Sequence, residues 1–325
     1  MRITFAIQRF DPEAGSAPRP QEFRLDVPWR GSTVLDALFE IQHTLDPTLA
    51  FRASCRSAIC GSCSMVINGR HTLACKTLVR TQVEQYGPRI DIGPMKNMPV
   101  LKDLAVDMRP FWHKILAVTP WVITETDAGT PVPQPPATLT KETRNWLHNA
   151  DACIMCGACV SACNSLEVSA GFLGPAALAK AYRFLADPRD RAHKPRLEKL
   201  VQPDGIWDCT RCNFCVEVCP KDVQPMEQIV RLRRAAIAEG LTDTIGASHI
   251  TSFVDVVRDE GRLNEGRLPL QMLWRHPIEL MTTLPLAVKM FVRGKVPFLW
   301  HPPIQTIKEV RRLFSHWLKR STWAS

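Results

Sequence analysis

The side chains best equipped for chemistry in this chain of 325 residues are its twelve cysteines, and their spacing is regular. Cys153, Cys156, Cys159 and Cys163 form a C-x2-C-x2-C-x3-C run, and Cys209, Cys212, Cys215 and Cys219 repeat it. Thiolates at that spacing hold cubane iron–sulfur clusters, the fourth Cys of each run reaching the cluster of the other. The spacing predicts one [4Fe-4S] cluster on Cys153, Cys156, Cys159 and Cys219. It predicts a second [4Fe-4S] cluster on Cys163, Cys209, Cys212 and Cys215, or a [3Fe-4S] cluster if Cys212 is not a ligand. Because each cluster takes ligands from both runs, metal would also clamp the two segments together. Cys55, Cys60, Cys63 and distal Cys75 follow the C-x4-C-x2-C spacing of a [2Fe-2S] site. Zinc is the alternative, yet zinc sites more often pair C-x2-C with a second C-x2-C or with His, and neither partner accompanies Cys60 and Cys63.

A loop can wrap a cluster only if its backbone comes close, and Ser57, Ala58, Gly61 and Ser62 are small enough for amides to reach the sulfurs. Met65–Ile67, the Asn68-Gly69 turn and His71–Leu73 read as a hairpin that returns Cys75 to the loop. Upstream, residues 2–9 and 22–27 read as two strands joined by a polar loop, and Ser32 or Thr33 caps a helix that Asp46-Pro47 ends. Downstream, Val100–Val118 reads as one mixed helix. Thr130–Pro136 is too proline-rich for regular structure. Gly174–Leu185 is a helix whose Leu178, Tyr182 and Leu185 face could pack on a cluster, and Pro225 opens another that Gly240 ends.

Length suggests about two domains at roughly 100–200 residues each. The N-terminus lacks an apolar signal core, so the cysteines are expected to be metal ligands in a reducing compartment and not disulfides. No window of about 18 apolar residues is present, and no transmembrane segment is expected. The net charge of +9 could suggest nucleic acid, but from Arg262 onward eleven Lys or Arg stand against Glu265, Glu279 and Glu309. Charge gathered in a proline-broken tail reads as a local docking surface, and no nucleic-acid partner is expected. There is no Gly-rich dinucleotide fingerprint, and all twelve thiols are claimed by clusters, so no catalytic residue is assigned.

A two-iron motif followed by paired cubane runs resembles the iron–sulfur subunit of succinate dehydrogenase and fumarate reductase. The resemblance covers residues 1 to about 240 and includes Asp91–Phe111, similar to the family's interdomain stretch, and Gly174–Asp190, similar to its central helix. It implies an α+β chain: a β-grasp plant-type ferredoxin domain (1–95), an interdomain helix and Pro-rich loop (96–140), and an all-α bacterial-ferredoxin-type domain with two cubane clusters (141–245). A mostly helical, basic amphipathic extension (246–325) follows, suited to anchor or membrane docking. The implied function is an oxidoreductase subunit active only within its complex. It relays electrons between FAD on a partner flavoprotein and a membrane quinone through an anchor subunit, at the cytoplasmic face of the inner or plasma membrane.

Two departures matter. Common members lack cysteine at the position of Cys212 and carry a three-iron cluster there. Asn164-Ser165-Leu166-Glu167 and Thr210 stand where Pro, Trp and His quinone contacts are usual. Both resemble the non-classical branch with a cysteine-rich anchor. The alternatives are the iron–sulfur subunit of a thiol:fumarate reductase or of a flavin-linked hydroxy-acid oxidase, and, from another class, an iron–sulfur nucleic-acid regulator. For the tail, a surface for a partner subunit is expected, with membrane contact at its edge.

Overall fold

The computed structural model describes residues 2–15, 17–28, 31–124, 147–295 and 302–320, without the side chains of 317–320. The Thr130–Pro136 loop lies outside the described residues. Two compact units are present: residues 1–196 with 203–231, and residues 197–202 with 232–325.

The first unit opens with β1 (Arg2–Arg9) and β2 (Arg19–Asp26), an antiparallel pair whose alternating Ile3, Phe5 and Ile7 turn inward. Thr33 caps α1 (Val34–Glu40) through a reciprocal box: its Oγ1 accepts from the Asp36 N–H while the Asp36 carboxylate accepts from the Thr33 N–H. That pairing satisfies two donors that a helix start leaves free. The chain continues as a π turn over Ile41–Leu45 and leaves it at Asp46. Then come β3 (Ser64–Ile67), β4 (Arg70–Leu73), α2 (Val79–Tyr86) and β5 (Arg89–Gly93). The sheet order is β2-β1-β5-β3-β4, with β1 and β5 parallel and the other pairs antiparallel. Its inner face and α1 share a core of Phe5, Leu35, Leu38, Met65, Leu73 and Ile90.

Residues 100–118 are not one helix. Val100–Lys102 (β6) and Ala105–Val106 (β7) form a small hairpin, and only Arg109–Ala117 is helical (α3). Tertiary contacts decide this. Asp103, 1% exposed and left-handed at φ 47°, sits in the hairpin turn, where its carboxylate accepts from Arg9 Nε (2.9 Å) and from the Phe10 and Ala50 amides. Arg9 also donates to Asp46 at 2.5 Å, so one guanidinium ties β1, the end of the π turn and the hairpin together.

After short helical pieces α4 (Ala158–Ser161) and α5 (Asn164–Val168), α6 (Gly174–Leu185) is the buried axis of the cysteine-run region. The buried carboxylate of Asp190 meets Arg196 at 2.7 Å in α7 (His193–Leu200). Arg196 also donates to the carbonyls of Val118, Thr119 and Trp121, fastening the segment after α3. Next come α8 (Phe214–Glu217) and α9 (Pro225–Ala238). The second unit holds α10 (Ile245–Glu260), α11 (Arg267–Leu273), α12 (Pro277–Val292) and α13 (Ile307–Arg320). Thr244 caps α10 and left-handed Gly261 ends it. It lies within the extension expected to be mostly helical. Arg267 of α11 pairs with Asp259 and Glu260 of α10 across the α10–α11 turn.

Candidate iron–sulfur cluster sites

The loop before β3 is a cradle of amides aimed at sulfur. Cys55 Sγ accepts from the N–H groups of Ser57, Ile59 and Cys60 at 3.3–3.4 Å, and Cys60 Sγ accepts from the Cys55 amide at 3.5 Å. Cys75, delivered by the β3–β4 hairpin, accepts from the Ala58 N–H at 3.3 Å, and its own amide donates to Cys63 Sγ. Left-handed Arg56, Ala58 and Gly61 fold the loop over. Donors pointed at thiolate sulfur stabilise the electron-rich form of a cluster and so raise its potential. The Ser62 hydroxyl and then the Cys55 amide pull the exposed Cys60 thiol down to about 6, whereas burial pushes Cys63 up to about 12. A thiolate at Cys63 would need a cation beside it, which coordinated iron would supply.

The cysteine runs repeat in three dimensions as they do in sequence. Single 3-10 turns, Ala150–Ala152 and Ile206–Asp208, lead into them, and α4 and α8 occupy matching places. Met155 and Arg211 are left-handed at φ 56° and 58°, as are Gly157 and Asn213 at φ 80° and 68°. The residues on either side of Cys156 and of Cys212 thus share one left-handed backbone conformation.

A cavity is lined by Cys153, Cys156 and Cys159 of the first run and Cys219 of the second. Burial, then mutual repulsion among these thiolates, pushes Cys159 well above the usual thiol range, and burial leads the rise of Cys156 to about 11. Four converging thiolates without a countercharge would be unstable, and Lys180 offsets only part of the charge at Cys153. The donor set thus fits a cationic iron cluster. Cys163, Cys209, Cys212 and Cys215 form the other group, each close enough to repel its neighbours, with burial pushing Cys215 up to about 12.

Ala176 and Ala179 of α6 line the first cavity. The expected Leu178, Tyr182 and Leu185 are buried but are not among the residues lining this cavity, and Tyr182 lies beside the His148 ring. Small side chains leave room for a cluster that leucine would fill.

Sequence reasoning missed how the first sulfur loop meets the cubane region. A Cβ at Gly61 would lie 2.7 Å from both Cα and Cβ of Cys156. His71 Nδ1 lies 2.6 Å from Ser161 Oγ, which also accepts from the Lys96 amide. Asn97 Nδ2 donates to the carbonyls of Val160 and Cys163. Gly157 is flanked by Met95, Met98 and Met108. No local pattern marks these residues, because each partner lies some fifty or more positions away.

This mixed sheet with an amide-lined cysteine loop, joined to a helical region carrying paired cysteine runs, defines an iron–sulfur electron-transfer protein. Residues 4–113 match the family of the 2Fe-2S iron-sulfur cluster binding domain, and residues 149–223 match the 4Fe-4S dicluster domain. The chain is 38% identical over 231 residues to the fumarate reductase iron-sulfur subunit of Escherichia coli O157:H7, covering 70% of this chain and 90% of that protein. It is 38% identical over 234 residues to the succinate dehydrogenase iron-sulfur subunit of Paracoccus denitrificans, covering 72% and 87%. A chain of the Mycobacterium smegmatis Sdh1 complex in the apo form superposes with TM-score 0.65 and 25% identity, over 74% of this chain and 97% of that one. The chain belongs to the succinate dehydrogenase/fumarate reductase iron–sulfur subunit family. Its role is electron transfer within an oxidoreductase complex, and it carries 2Fe-2S and 4Fe-4S binding domains.

Proposed function

We propose that this subunit carries three clusters: [2Fe-2S] on Cys55, Cys60, Cys63 and Cys75, [4Fe-4S] on Cys153, Cys156, Cys159 and Cys219, and a complete second [4Fe-4S] on Cys163, Cys209, Cys212 and Cys215. The observation that carries the reading is the cavity in which Cys219 of the second run joins three thiols of the first. The shared backbone conformation of the two runs supports Cys212 as a ligand equivalent to Cys156.

When bound, such clusters take up and release single electrons, which divides the two-electron chemistry of a flavin. The chain's own residues set distance, burial and hydrogen bonding. Gly61 lets the first loop rest on Cys156, the amides of Ser57, Ile59 and Cys60 act on Cys55, and the Val223 N–H donates to Cys219 Sγ at 3.4 Å. Ala176 and Ala179 wall one cavity from water.

The order runs from FAD on a partner flavoprotein, past Cys55–Cys75, to the first cubane set and out at the second. A membrane anchor and quinone then complete the path at the cytoplasmic face of the membrane. Among the described residues no helix is long and apolar enough to cross a membrane. Ser165 is buried and accepts from the Thr210 amide at 3.4 Å, so these two residues close on each other where quinone contacts are usual in relatives. By the resemblance to the non-classical branch, the acceptor is a cysteine-rich anchor. Iron and sulfide analysis with EPR on the anaerobically purified complex should give one two-iron and two four-iron centres, and Cys212→Ala should convert one of the latter to a three-iron signal. A three-iron signal in the unmodified anaerobic complex would overturn the Cys212 assignment.

A further inference from the structure

The second unit contains a helix for which electron transfer has no use. α12, Pro277–Val292, has no buried residue, and Ile278, Met281 and Phe291 are 74%, 74% and 73% exposed. At about 100° per residue, Ile278, Leu280, Met281, Leu284, Val288 and Phe291 fall in one half of its circumference. Glu279, Thr282, Thr283 and Lys289 fall in the other, together with the exposed Leu286 and Met290. Sixteen residues rise about 24 Å, short of the roughly 30 Å hydrocarbon core of a bilayer.

The surroundings indicate what covers this face. Trp274, 85% exposed, and Arg275 precede the helix, and Arg293 and Lys295 follow it. On α13, Lys308, Arg311 and Arg312 are exposed beside Leu313. From Arg262 to the end, eleven cations face three acids. Such charge seeks an anionic surface, and an apolar half-cylinder with basic ends and an interfacial tryptophan suits the boundary between headgroups and acyl chains.

We propose that α12 lies in the plane of an anionic phospholipid bilayer, its Leu284–Phe291 side immersed, with the cations around it on the headgroups. The lipid contact belongs to this chain itself and holds whichever acceptor takes the electrons, so its failure leaves the cluster assignment untouched.

The test is flotation of the full cluster-bearing chain, kept anaerobic, with vesicles of phosphatidylcholine alone or mixed equally with phosphatidylglycerol. Leu284→Glu and Thr282→Glu add the same charge on opposite halves of α12. The unmodified chain should float with the mixed vesicles, much less with phosphatidylcholine, and less as salt rises. Leu284→Glu should lower partitioning at least about tenfold and Thr282→Glu less than about threefold, with cluster absorbance unchanged in both. Absence of flotation, flotation indifferent to anionic lipid, or equal losses in the two variants would overturn the proposal. So would self-association that Leu284→Glu abolishes without any flotation, since the face would then be a protein interface.

Discussion

Replacing Gly61 by alanine tests the close approach of the first sulfur loop to the cubane region. Two costs are expected. At φ 74° any Cβ is disfavoured, by about 1–2 kcal/mol. The new methyl would also lie 2.7 Å from Cys156 Cα and Cβ, and relieving that overlap against backbone costs a further 1–3 kcal/mol, by the usual range of about that size for overpacking. Gly69 supplies the control, because at φ 78° it carries the same conformational cost with nothing within 4 Å of its added Cβ. The effect of alanine on the unfolded chain is shared by both variants and cancels. At about 2–4 °C per kcal/mol for a unit of this size, Gly69→Ala should lower the anaerobic melting temperature by about 2–8 °C, and Gly61→Ala by about 2–12 °C beyond that. Differential scanning calorimetry with iron counts before and after heating reads both. Equal shifts in the two variants would refute the argument, since they would mean that Cys156 exerts no steric constraint on the loop.

Arg196→Met should destabilise by about 3–5 kcal/mol, because it strands the buried Asp190 carboxylate and three carbonyls, and Arg196→Lys should recover only part, since an ammonium cannot serve all five bonds. Chemical denaturation of both variants checks this. Burial opposes ionisation of Asp46, but hydrogen bonds from Thr48 and Arg9 win and hold its carboxyl down at about 2. A folded value below the unfolded one, near 3.9, contributes stability above that pH that is lost as pH falls through about 2. Asp46→Asn should therefore be less stable than the unmodified chain at pH 7, the gap closing between about pH 4 and 2 in acid titrations followed by circular dichroism.

The cysteine runs, the Thr33 cap, the Asn68-Gly69 hairpin and the Gly240 stop could be read directly, because each depends on residues within a few positions of one another. Thiol spacing is a local property, and so is the donor a helix start demands. Residues 100–106 could not be read that way. Leu101 and Leu104 suit a helix as well as a hairpin, and the choice rests on a buried Asp103 whose partners Arg9 and Ala50 are remote in the chain. The same holds for α6, where periodicity marks an apolar face around Leu178 but packing assigns Ala176 and Ala179 to the cluster cavity. How near Gly61 comes to Cys156, and that α12 stays uncovered, are long-range facts. Local chemistry names the groups able to bind iron, and the crossed spacing says which run lends its fourth thiol to which; only the folded chain walls that site with Ala176 and Ala179 or presses one sulfur loop onto the next.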